Sequence, residues 1–211
     1  MNIGIDKFGL AIPEYFLDIK DLAAARNENA NKFLKGLLQL EMSVSPVTQD
    51  IVTLGAAAAH EFLTEEDRKK IDMIIIGTET GVDQSKSASV FIHNLLGIQP
   101  FARCVEIKEA CYGATAGLDF AKNHIEKNPD SYVLLIAADI AKYGIETSGE
   151  STQGSGSCAM LIKKDPEILI LNNDNVCQTR DIMDFWRPNY SAYPYVDGHF
   201  STKQYLECLE T

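Results

Sequence analysis

Two uninterrupted apolar runs, Asp72-Met-Ile-Ile-Ile-Gly-Thr78 and Ser131-Tyr-Val-Leu-Leu-Ile-Ala-Ala138, constrain this chain more than any other feature. A strand with one wet face alternates polar and apolar residues, whereas a run without alternation belongs to a strand covered on both faces. Helical patterns stand between such runs. Ser87 to Leu96 is closed by Gly97, and Tyr112 to Lys127 places Ala116, Phe120, Ala121 and Ile125 at helical spacing. Strands alternating with helices imply an α/β fold: a mixed, mostly parallel sheet with helices on both faces.

The remaining elements follow from local signals. Ile3 to Ile12 reads as a strand ending at Pro13. Asp18 caps a short helix, Ile19 to Arg26, and a second helical stretch runs through Leu38. Thr48 and Asp50 offer caps for the Ala-rich segment Ile51 to Leu63, and Thr64-Glu-Glu-Asp67 has the acidic first turn of another helix. Ala102 to Ile107 is a short strand. A Gly/Ser-rich loop, Ser148 to Ser157, leads into the strand Cys158 to Lys163. After a long irregular stretch from Asp184 to Gly198, Ser201 with Gln204 makes a capping box that opens an amphipathic helix.

With 211 residues, 45% of them hydrophobic, the chain can bury one substantial core or a large piece of a bigger one. A net charge of −11 and a pI near 4.8 argue against nucleic acid or an acidic membrane as partner. A phosphorylated small molecule stays open, since a local cluster of Lys or Arg reverses the sign within one cleft. The five cysteines (104, 111, 158, 177 and 208) show no CxxC or CxxH pairing. Neither a disulfide framework nor a zinc ribbon is therefore indicated, and a reduced cytoplasm is the simplest home. The N-terminus lacks a basic leader followed by an apolar stretch, so no signal peptide is expected. No apolar run approaches the roughly 20 residues of a membrane helix.

Cys111 carries the strongest chemical signal. It lies where the strand before it hands over to a helix rich in small residues, Gly113, Ala114, Ala116 and Gly117. A thiol at such a junction meets free backbone N–H groups and the positive end of a helix dipole, which favours the thiolate. A plain packed cysteine is the alternative. Glu79 directly follows the first apolar run, and ligands in open α/β sheets collect beyond the carboxyl ends of the strands. The two side chains can thus meet at one sheet edge, with Glu79 as general acid or base or else as an exposed loop residue. The loop Gly149-Glu-Ser-Thr-Gln-Gly-Ser-Gly-Ser157 offers backbone donors for a tunnel or oxyanion site, or is a plain connection; it lacks the lysine of a phosphate loop. His60, His93 and His124 fall within helical patterns, and only His199 sits in a loop. No His or Cys pair has metal-ligand spacing, so no metal is expected.

Gly77-Thr-Glu79, Lys108-Glu-Ala-Cys111-Tyr-Gly-Ala-Thr, Gly149-Glu-Ser-Thr-Gln-Gly-Ser-Gly, Asp184-Phe-Trp-Arg-Pro188 and Val196-Asp-Gly198 stand in register along the chain. Together they resemble the bacterial hydroxymethylglutaryl-CoA synthases of the mevalonate pathway, as do Met1-Asn-Ile-Gly-Ile-Asp-Lys7 and Gly97-Ile-Gln-Pro-Phe-Ala-Arg103. The resemblance covers all 211 residues and implies the N-terminal half of a thiolase-like enzyme. Such an enzyme has two related α/β halves in an αβαβα arrangement, works as a homodimer and is cytoplasmic. Residues 1–211 would then be that half, truncated, with the C-terminal half absent. The resemblance further implies that Cys111 takes an acetyl group from acetyl-CoA and that Glu79 deprotonates the acetyl methyl for attack on acetoacetyl-CoA. CoA thioesters are then substrates, and no cofactor is required. Thr152, Ser201 and Tyr143 match positions lining the substrate, and Asn29 falls where an acidic residue is often found near CoA. Ser151 stands where the family usually has proline, and Cys158 where it has a small apolar residue. The family's catalytic histidine comes from its second half, so the chain alone is expected to be inactive in the full condensation. Two alternatives remain: a β-branching synthase of polyketide assembly using an acetyl-carrier protein, and a non-catalytic fragment.

Overall fold

Residues 1–210 are described by a computed structural model. In chain order the strands are β1 (Ile3–Ala11), β2 (Tyr15–Asp18), β3 (Glu41–Val44), β4 (Ile71–Gly77), β5 (Arg103–Ile107), β6 (Tyr132–Ala141), β7 (Gly154–Lys164), β8 (Leu169–Ile170), β9 (Phe185–Trp186) and β10 (Tyr195–Val196). The helices are α1 (Ile19–Ala25), α2 (Asn31–Leu34), α3 (Ile51–His60), α4 (Glu65–Lys70), α5 (Ala88–Leu96), α6 (Gly113–Lys127) and α7 (Gly198–Leu209).

The two apolar runs form the adjacent central strands β4 and β6 of a six-stranded sheet ordered β5-β4-β6-β7-β1-β8. The pairings β5·β4 and β4·β6 are parallel, and β6·β7, β7·β1 and β1·β8 are antiparallel. Hence β1, β4, β5 and β6 point one way while β7 and β8 point back. Side chains alternate between two cores, as the period of a strand requires. Ile74, Ile76, Leu134 and Ile136 pack beneath α3 and α5. Ile75, Val133 and Leu135 pack beneath α6, against Ala121 and Ile125. These isoleucines and leucines are fully buried, each worth roughly 1.5–3 kcal/mol of transfer free energy.

The caps offered at Asp18, Asp50 and Thr64 form, with Asp50 rather than Thr48 starting α3, and Ser87 adds one the sequence reading did not name. Asp18 accepts from Lys20 N (2.8 Å), Ser87 accepts from Ser89 N, and Asp50 and Thr64 form reciprocal boxes with Thr53 and Asp67. Gly97 closes α5 in the left-handed region (φ 62°).

Three local expectations need correction, and one ribbon carries no sequence signal. The helical stretch through Leu38 is a single turn, α2, because the chain turns left-handed at Leu38 (φ 53°) to enter β3. Tyr15–Asp18 and Glu41–Val44 pair as an antiparallel ribbon, β2·β3, too short to show a period. The second half of the Gly/Ser-rich loop is already strand, since β7 starts at Gly154. Finally, Ser201 does not open the last helix: Asp197 caps α7 by accepting from Phe200 N, so His199, expected in a loop, and Ser201 both lie in its first turn.

Candidate active site

Three neighbouring parallel strands end at one level. In the ladder Gly77 lies beside Ile107 of β5 on one side and Ala137 of β6 on the other. The chain therefore releases Thr78-Glu79-Thr80, then Lys108 to Cys111, then Asp139 to Tyr143, onto one edge of the sheet. Gly77 makes the approach possible. A Cβ there would sit 2.3 Å from Ala114 N, so only glycine lets the start of α6 rest on the end of β4. Cys111 lies on the 3-10 turn Ala110–Tyr112 just before α6 and is exposed. The residue before it, Ala110, is held at φ 42°.

Asp139 locks the turn that carries Glu79. Its Oδ1 accepts from Thr78 Oγ1 (2.8 Å), Glu79 N (2.9 Å), Thr80 N (3.1 Å) and Thr80 Oγ1 (2.7 Å). Burial raises the Glu79 carboxyl above its ordinary pKa, and the Asp139 charge adds to this. The Arg187 charge and a hydrogen bond from Tyr143 offset part of the rise. The Tyr143 hydroxyl is pushed up to about 12, by burial first and then by Glu79, Cys111 and Asp139. Glu79, Tyr143 and Cys111 thus share one electrostatic neighbourhood. A carboxyl raised toward neutrality can take and return a proton, and an accessible thiol on the same rim can carry an acyl group.

A cavity of about 570 Å³ opens beside them, lined among others by Glu79, Lys108, Tyr143, Trp186 and Arg187. The small β9·β10 hairpin roofs it. Trp186 stacks on Tyr195 with centroids 5.2 Å apart, and Phe185 meets the Tyr143 ring edge-on at 6.1 Å. Arg187 Nη2 donates to the Glu79 carbonyl.

A second cavity, about 640 Å³, lies between α1, α2 and the loop after β6, lined by Arg26, Lys32, Phe33, Ser148 and Thr152 among others. Arg26 spans it with a two-pronged bond to Glu150, Nε to Oε2 at 2.8 Å and Nη2 to Oε1 at 2.7 Å. Thr152 Oγ1 donates to Gly149 O (2.8 Å). Asn29 is exposed next to Asn27 and Glu28, which line this cavity, and its Oδ1 accepts from Asn31 N (3.0 Å). Ser201 stands apart, donating to Asp184 Oδ2 (2.6 Å) and so tying α7 to the segment that leads into β9.

Of the six residues singled out in the sequence, Glu79, Cys111 and Tyr143 come together. Thr152 and Asn29 belong to the second cavity and its rim, and Ser201 to neither. Sequence reading missed Asp139 and Arg187. An acidic residue at the end of an otherwise apolar strand was the available signal for the first, and the Phe-Trp-Arg-Pro run for the second. Among the described residues no group of three His, Cys, Asp or Glu is placed to hold a metal ion. No described helix is long and apolar enough to cross a membrane.

Residues 1–167 match the family model described as hydroxymethylglutaryl-coenzyme A synthase N terminal. The chain is 55% identical over 207 residues to a hydroxymethylglutaryl-CoA synthase of Enterococcus faecalis, covering 98% of this chain and 54% of that protein. A crystal structure of an HMG-CoA synthase complexed with CoA superposes with a TM-score of 0.97 at 62% identity, over 100% of this chain and 54% of that one. A polyketide biosynthesis 3-hydroxy-3-methylglutaryl-ACP synthase of Bacillus subtilis, PksG, is 31% identical over 226 residues, covering 100% of this chain and 53% of that protein. The chain spans about half the length of the curated relatives it matches.

Proposed function

The chain belongs to the hydroxymethylglutaryl-CoA synthase N-terminal family, and from that premise we propose that it is the nucleophile-bearing half of a synthase that condenses acetyl-CoA with acetoacetyl-CoA. The observation that carries the reading is the meeting of Glu79, its carboxyl raised by burial and Asp139, with Cys111 and Tyr143 at one strand edge.

The chemistry is ordered. The Cys111 thiol displaces CoA from acetyl-CoA, forming a C–S bond and releasing the CoA thiol. The thioester acidifies its methyl protons, and Glu79 takes one. The resulting carbanion forms a C–C bond to the ketone carbon of acetoacetyl-CoA, whose oxygen collects a proton. Water then cleaves the enzyme thioester, restoring the thiol and leaving a carboxylate on the product. Holding the acetyl group covalently beside its target converts a bimolecular encounter into a local one. In this reading Tyr143 fixes the Glu79 carboxyl, and the second cavity, with Arg26, Lys32 and Thr152 on its wall and Asn29 at its rim, takes part of a CoA thioester. Ser201, outside both cavities, bears on the substrate in this reading only by tying Asp184, just ahead of the roof hairpin, to α7. The histidine that polarises the acetoacetyl ketone belongs to the family's second half, so the 211-residue chain alone is acetylated and exchanges methyl protons but stops before the C–C bond forms. The whole enzyme is read as a cytoplasmic homodimer of the mevalonate pathway. All five cysteines are free, which suits a reducing compartment.

Likeness to an HMG-ACP synthase supports a second reading, in which the acetyl donor is a carrier protein; preference for acetyl-carrier protein over acetyl-CoA would establish it. The main test is intact mass after incubation with acetyl-CoA. An acetyl adduct present in the parent chain and absent from Cys111→Ala is expected, and an adduct that survives the substitution contradicts the reading. Adding acetoacetyl-CoA to the chain should yield no product at an enzyme's rate.

A further inference from the structure

We propose that Gln153 is a positioning residue that holds Tyr143, and through it the Glu79 carboxyl, in the geometry from which the acetyl proton is removed. This rests on the reading of Glu79 as the base.

The β6·β7 ladder ends at the pair Ala141–Gly154. Beyond it the two strands part, and the N–H groups of Tyr143 and Gly144 lie past the last rung. Both turn to the same atom: Gln153 Oε1 accepts from Tyr143 N at 2.8 Å and from Gly144 N at 3.2 Å. A side-chain amide thus continues the ladder by one step and fixes the backbone direction from which the Tyr143 ring departs. The loop between these residues reinforces the hold. Thr147 Oγ1 donates to Tyr143 O (3.1 Å), and Gly149 lies so close that a Cβ would meet Tyr143 Cβ at 3.0 Å. The ring then rests edge-on against Phe185 and shares a cavity wall with Glu79, whose charge helps keep the Tyr143 hydroxyl protonated.

The acceptor is neutral and half-buried. Gly144 is buried and Tyr143 half-buried, and two successive N–H groups so placed are costly to leave without an acceptor, so losing Oε1 forces the turn to rotate toward another partner. Rotation about that turn swings the phenol, at the end of a long lever, away from Glu79. A shift of about 1 Å at a reacting group lowers rates by about 100-fold. Gln153 touches no substrate; it acts on Glu79 through Tyr143.

Two substitutions separate this role from mere space filling. Gln153→Met keeps the length and removes the acceptor, and Gln153→Glu keeps an acceptor. The first readout is the NMR titration of Tyr143 in chain labelled at the tyrosine ring carbons, assigned with Tyr143→Phe. The second is the rate at which the Cys111-bound acetyl methyl exchanges hydrogen for deuterium. Gln153→Met should bring the Tyr143 titration down from about 12 toward the ordinary ~10 of tyrosine and slow exchange by about 10- to 100-fold. Gln153→Glu should keep Tyr143 at or above its parent value and hold exchange within about fivefold. A folded Gln153→Met that titrates and exchanges like the parent overturns the proposal. So does a folded Gln153→Glu in which Tyr143 falls to the ordinary range, and this second arm decides the matter even if the methionine variant does not fold. Failure of the parent chain to form an acetyl adduct would instead defeat the functional reading, while the Tyr143 titrations would still judge the role of Gln153.

Discussion

The two cavities are bounded in different ways. The one beside Glu79 is anchored to the ends of β4, β5 and β6, and a single carboxylate oxygen of Asp139 gathers four donors from the turn that carries Glu79. The other lies between helices of seven and four residues and a loop, spanned by the Arg26–Glu150 pair. Short helices draw little stability from themselves and depend on what they pack against. The first cavity therefore has the rigidity that proton transfer needs. The second has walls that can adjust to a bulky ligand. Chemistry is set on the sheet, and binding is left to its margin.

Substitutions that strike one cavity and spare the other test this contrast. Away from Glu79 and Gln153, the largest effect is expected from Asp139→Asn, whose Oδ1 still accepts hydrogen bonds but carries no charge. Removing that charge removes one of the two influences that raise Glu79, so its pKa falls and it becomes a weaker base near neutrality. The acidic limb of the rate profile should move to lower pH, because Glu79 is then deprotonated earlier. The exchange rate at neutral pH should drop about tenfold. Binding of CoA, measured by calorimetry, should hardly change. Glu150→Gln is expected to do the reverse: CoA binds several-fold more weakly as Arg26 loses its charged partner, while deuterium exchange at the acetyl methyl is retained. The smallest effect concerns the turn under Cys111. Ala110 sits at φ 42°, where a side chain costs about 1–2 kcal/mol, so Ala110→Gly should stabilise the chain by up to about 1 kcal/mol in urea unfolding once the greater freedom of unfolded glycine is deducted.

What was legible in the sequence was governed by neighbours along the chain. The apolar runs, the caps at Asp18, Asp50 and Thr64, and the placing of Glu79 and Cys111 at one strand edge all follow from local period plus the rule for parallel sheets. What was missed depends on partners far apart in sequence. Asp139 binds residues about sixty positions earlier, and Arg187 reaches Glu79 from a hairpin of two-residue strands. Ser201 illustrates the same limit: a Ser and a Gln three residues apart look like a cap, yet Asp197 takes that place and Ser201 is left to hold Asp184. Spacing alone does not rank two competing caps, because the decision lies in where the preceding hairpin delivers the chain.

The central claim, that Glu79 and Cys111 act on one acetyl group, is most directly tested in heavy water. The chain is acetylated with acetyl-CoA in D2O, and the Cys111 peptide is weighed over time, in parent and in Glu79→Gln. The account predicts that the parent's acetyl group gains deuterium, up to all three methyl positions, while Glu79→Gln acquires the same acetyl adduct and exchanges at least about 100-fold more slowly. Equal exchange in the two proteins would contradict it.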